Sequence, residues 1–63
     1  MSRKEILEKI EEICFLTEQM MQEVYHISNL SVPQDLAEEA KIRLLCHNKK
    51  RLLVIEELIK LGQ

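Results

Sequence analysis

Two cysteines, two histidines and a carboxylate-rich first half are the groups of this 63-residue chain best suited to holding a metal, forming a cross-link or moving a proton. His47 directly follows Cys46. On a helix such neighbours point about 100° apart, so the pair cannot grip one ion without a third ligand. His26 and Cys14 stand far from both along the chain, and facing ligands at i and i+3 or i+4 are lacking. Glu8, Glu11, Glu12 and Glu18 are interleaved with Lys4 and Lys9 in the spacing of a solvated helix face. Paired carboxylates doing acid–base work need a pocket that separates their pKa values, and a thin helical layer offers none. The only glycine is Gly62, so no glycine-rich loop is available to cradle a phosphate. The expectation is therefore a chain with no catalytic residue, no metal ligand and no cofactor, and not an enzyme.

One basic cluster, Arg43, His47, Lys49, Lys50 and Arg51, has the composition for touching phosphates. In an antiparallel pairing it lies opposite Glu11, Glu12 and Glu18 and is neutralised there. The formal net charge is −2 with both signs interspersed, which gives no overall attraction to a polyanion. Its distribution is uneven. Through Ser31 there are three basic against six acidic residues, or −3; from Val32 there are six basic against five acidic, or +1. Aromatics make up 3% of the chain and tryptophan is absent, which argues against a base-stacking platform.

The elements that carry these groups are marked by two capping-box patterns, Ser2-Arg3-Lys4-Glu5 and Ser31-Val32-Pro33-Gln34. In such a box the serine oxygen takes a backbone N–H three residues on, and the Glu or Gln side chain returns to the serine N–H. Each box opens a heptad pattern. In the first half Ile6, Ile10, Ile13, Thr17, Met20, Val24 and Ile27 recur by steps of four and three, widened by Leu7, Cys14 and Met21. In the second half Leu45, Asn48, Leu52, Ile55 and Ile59 form the matching seam, flanked by Ala37, Leu44 and Leu58. Asn29 can end the first helix in a left-handed conformation. Pro33 suits a first helical turn, Asp35, Glu38 and Glu39 complement the positive helix end, and Lys60 with Gly62 marks the stop. The fold class expected is all-α: one domain over residues 1–63, an antiparallel helical hairpin with a helix over about 3–28, a turn over about 29–31 and a helix over about 32–61.

A chain this short buries little surface for its entropy cost, and small folds compensate with disulfides, metals or partner subunits. Cys14 and Cys46 come nearly level in the hairpin. Met1 runs straight into a charged capping box without a secretory signal, so the expectation is reduced thiols in a cytoplasmic protein. The longest aliphatic run, Leu52-Leu53-Val54-Ile55, falls far short of the about 20 residues of a membrane span.

A partner is the remaining compensation. Ile42, Cys46 and Leu53 form a second apolar stripe away from the Leu45–Ile59 seam, and Phe15, Leu16 and Tyr25 lie off the first helix's own line. A lone hairpin covers one stripe per helix, so Phe15, Leu16, Ile42, Cys46 and Leu53 are the expected interaction surface. Thr17 and Asn48, polar residues near one level of the seam, can specify register. The expected function is a non-catalytic protein–protein interaction module, acting by self-association as a homodimeric four-helix bundle or by docking on another protein. In size and layout the chain is similar to the minimal hairpins that partner the chaperones of secretion-needle subunits, which implies a small adaptor, inhibitor or chaperone-subunit regulator. The alternative is an RNA-binding regulator of the plasmid copy-number type. The face Lys4, Glu11, Phe15, Gln19, Gln22 and His26 resembles that family in its exposed aromatic with polar neighbours. No membrane partner is expected.

Overall fold

A computed structural model describes residues 2–62 as two helices, α1 (Arg3–Ser28) and α2 (Gln34–Leu61), packed antiparallel as a hairpin. The rod they form measures 47 × 14 × 10 Å. Met1 and Gln63, the ends of the expected domain, lie outside the described residues. Among the described residues no helix is long and apolar enough to cross a membrane.

Helix α1 starts on the serine bond of its capping pattern. Ser2 is extended and its hydroxyl accepts the Glu5 N–H at 3.2 Å. The second box is not formed. Helix α2 begins at Gln34, two residues later than expected, with Pro33 at the N-cap and no side-chain cap. Ser31 is diverted because Asn29 captures it: the Asn29 Oδ1 accepts the Ser31 N–H at 3.0 Å and its hydroxyl at 2.7 Å. This side-chain turn replaces the left-handed conformation expected of Asn29, whose backbone stays extended at φ −81°, ψ 110°.

The seam that closes the hairpin is displaced from the expected one. On α1 the residues drawn toward α2 are Ile6, Lys9, Ile13, Leu16, Met20 and Glu23, again by steps of three and four. Ile10 and Val24, expected on the seam, are exposed, as is Ile27, while Thr17 is half-buried. On α2 the covered line is Ala37, Ala40, Leu44, His47, Arg51, Val54, Leu58 and Leu61. The expected seam residues Leu45, Leu52 and Ile59 face solvent, with Asn48 and Ile55 half-buried beside them. Two physical reasons account for the shift. Rotating α1 buries Leu16, 7% exposed, where the expected register would bury a threonine, and the Thr17 hydroxyl turns back to the Ile13 carbonyl at 2.8 Å. On α2, Ala40 is wholly buried, so a side chain without bulk lets the helices close beside the turn.

Ion pairs fasten one edge of this seam. The Lys9 ammonium donates to Glu57, and Arg43 grips Glu23 with two parallel bonds of 3.0 and 3.1 Å. The Arg43 guanidinium beside Glu23 holds that carboxyl below the usual carboxylate range, and Glu57 beside Lys9 raises the lysine. A lowered acid stabilises the fold above its unfolded value of about 4.3 and loses that contribution as pH falls through its folded value. Glu23→Gln is accordingly expected to lose less thermal stability than the wild type between pH 7 and 3. Equal losses in parallel melts would show that the pair contributes nothing. Added salt should shrink the difference, because the Arg43 side chain is half exposed to solvent.

Candidate interaction surface

Each helix carries a second heptad line one residue after its seam. On α1 this line is Leu7, Ile10, Cys14, Thr17, Met21 and Val24. On α2 it is Lys41 near the turn, then Leu45, Asn48, Leu52, Ile55 and Ile59. Stepping one residue on turns the direction about 100° away from the partner helix, and in an antiparallel pair both turns lead to the same side. The two lines therefore form one broad face that spans both helices. Leu7, Met21, Val24, Leu45, Leu52 and Ile59 on it are at least half exposed. Two of its polar members have partners within the hairpin, Thr17 through the Ile13 carbonyl and Asn48 by accepting the Arg51 guanidinium N–H at 3.1 Å, while Lys41 is exposed at the turn end.

The opposite face is built from residues one before the seam and has another character. It presents Glu5, Glu8, Glu12, Gln19 and Gln22 from α1, and Glu39, Arg43, Lys50, Glu57 and Lys60 from α2. Both ion pairs lie toward this side. Phe15, Leu36, Cys46 and Leu53 sit on it, all exposed, as apolar islands among charges. Ile42 projects from the outer ridge of α2, away from both faces. Leu16 is in the seam. The five residues expected to form one interaction surface are thus dispersed over the charged face, the outer ridge of α2 and the core. The continuous apolar surface is made instead by residues expected to close the hairpin. Cys14 and Cys46 fall on opposite faces, and the ion pairs Lys9–Glu57 and Glu23–Arg43 set the levels so that Cys14 stands level with Leu52 and not Cys46; a bond between the two cysteines within one chain is not made.

The rest of the polar inventory is local. His26 Nδ1 meets the Gln22 carbonyl at 2.9 Å, and its ring stands edge-on to Tyr25. His47 Nδ1 and Arg51 Nε are covered by the seam without a protein partner. The basic cluster is divided: Arg43 pairs with Glu23, His47 and Arg51 turn into the seam, and Lys49 and Lys50 remain exposed. The acid that pairs with the cluster is Glu23, through Arg43, and not Glu11, Glu12 or Glu18. No three His, Cys, Asp or Glu residues gather as a metal-binding group among the described residues. No protein-family model, curated protein or solved structure matches the chain.

Proposed function

We propose that the protein is a non-catalytic interaction module whose working surface is the apolar face shared by α1 and α2, an adaptor, inhibitor or chaperone-type regulator that acts by covering that face with other helices. The observation that carries this reading is the division of the hairpin into a polar, ion-paired face and a continuous apolar one. Scattered exposed apolar residues are ordinary on any protein. Two in-step lines on adjacent helices are not scattered, and a patch of that extent on a small chain is characteristic of a binding surface. Its aliphatic character and heptad spacing suit helical occupants, whose side chains interdigitate at crossings of about 20°.

The RNA-binding alternative places function on the other side, around Phe15. That aromatic is exposed, but Glu8, Glu11, Glu12 and Glu18 around it are exposed as well and oppose phosphate. Two measurements decide between the readings. The protein is expected to pass through heparin unretained, and Leu52→Glu is expected to abolish association, read by light scattering, while helicity by circular dichroism is unchanged. Heparin retention that weakens with salt, together with a neutral Leu52→Glu, would overturn the proposal.

A further inference from the structure

We infer that the occupant of the apolar face is a second copy of this chain, laid with its α1 over α2 of the first and its turn at the same end, so that a two-fold axis runs along the rod. The inference rests on the interaction-surface reading and names its partner. Area is the first argument. Leu7, Ile10, Met21, Val24, Leu45, Leu52 and Ile59 are each between about two-fifths and two-thirds exposed. At on the order of 100 Å² apiece they offer about 700 Å² per chain, close to the about 800 Å² per partner of a stable interface. The face also makes little polar demand: the Thr17 hydroxyl and the Asn48 oxygen are bonded inside the hairpin, leaving the Asn48 amide N–H groups and, at the turn end, the exposed Lys41.

Charge fixes the arrangement. The half carrying α1 has three basic and six acidic residues, the half carrying α2 six and five. With α1 over the partner's α2, every helix has only helices of the opposite tendency beside it. Laying the turns at opposite ends stacks α1 on α1 and sets two acidic helices together, which like-charge repulsion disfavours. The register agrees at the rim. The pairs Lys9–Glu57 and Glu23–Arg43 define which residues stand level along the rod, and an axis along the rod preserves those levels between chains. Glu18 on the outer ridge of α1 then comes close to level with Lys49 on that of the partner's α2, and Cys14 with the partner's Leu52.

Within one chain Cys14 and Leu52 both turn away from the seam in diverging directions, so a bond between these positions reports a neighbouring chain. In a Cys46→Ser background, Leu52→Cys is expected to give, on mild oxidation, a covalent dimer through Cys14 on a non-reducing gel, while Cys46→Ser alone stays single. Sedimentation of the wild type should give about 15 kDa, twice the 7.5 kDa of one chain. A dimer that cross-links in Cys46→Ser alone, or fails to cross-link with Leu52→Cys, overturns the arrangement. A folded monomer at the highest attainable concentration overturns the second copy as occupant. If that monomer binds an apolar fluorescent dye and Leu52→Glu abolishes the binding, the interaction-surface reading stands without it; if it binds none, both fall.

Discussion

Leu16→Ala is expected to remove about 2–5 kcal/mol, a large share of the stability of so short a chain, while Phe15→Ala, the neighbouring and larger truncation, is expected to change its stability by less than about 0.5 kcal/mol. The contrast follows from burial. Leu16 is 7% exposed in the hairpin seam and Phe15 is 58% exposed on the charged face. Truncating a buried leucine costs about 2–5 kcal/mol, counting lost transfer energy and the residual cavity. A chain of this length has roughly 3–9 kcal/mol of stability in total. Only Leu16, Ala40 and Val54 are buried among the described residues, so no second layer of core compensates. Thermal melts followed by circular dichroism at one fixed protein concentration test the pair, the concentration being held because association adds to apparent stability. Equal shifts for the two variants would mean that the rotation of α1 about its axis differs from the one described.

That rotation is where sequence reasoning stopped. Helix periodicity, the capping serine at Ser2 and the polar break after Ser28 are local properties, and local properties suffice to read two helices and a turn. The phase of a seam is not local. On α1 the line through Ile6, Ile13 and Met20 can be completed by Ile10, Thr17 and Val24 or by Lys9, Leu16 and Glu23, and the first set is the more apolar. The structure takes the second. Lys9 and Glu23 reach past the seam to charged partners at its edge, so their aliphatic stems cover apolar surface while their charges are met by Glu57 and Arg43. On α2 the same rule passes over Leu45, Leu52 and Ile59 in favour of a line containing Ala40, His47 and Arg51.

The expectation that one stripe per helix must stay uncovered follows from area alone, and the exposed apolar face agrees with it. Which stripe that would be depended on pair geometry across the turn. Hydropathy ranks the richer stripe as the core, whereas here the richer stripe is the one left open. One signal for this was present in the sequence. Lys9 with Glu57 and Glu23 with Arg43 are opposite charges at matching levels of an antiparallel pair, and both matches require the same edge of the hairpin. Asn29 could likewise have been read as competing with the second capping box, because an asparagine two residues before a serine can form its own side-chain turn.

Ala40→Leu is expected to lower the thermal midpoint by about 5–20 °C, from an overpacking cost of about 1–3 kcal/mol in a domain of this size. Leucine is nearly as good a helix former as alanine, so the loss cannot come from propensity and must come from the space between the helices. Ala40 has no exposed surface, whereas Ala37, one turn nearer the loop on the same line, is only half-buried. Ala37→Leu should therefore cost much less, its longer side chain escaping toward solvent. The effect also reaches the proposed function. A leucine at the point of closest approach spreads the helices and changes the angle between the two exposed lines, Leu7–Val24 and Leu45–Ile59, that make up the apolar face. Ala40→Leu should then weaken association, measured by sedimentation below its own melting temperature, although residue 40 lies outside that face. A variant that melts like the wild type would show that Ala40 does not set the helix spacing. One that melts early yet associates with unchanged affinity would show that the face tolerates a change in the angle between its helices.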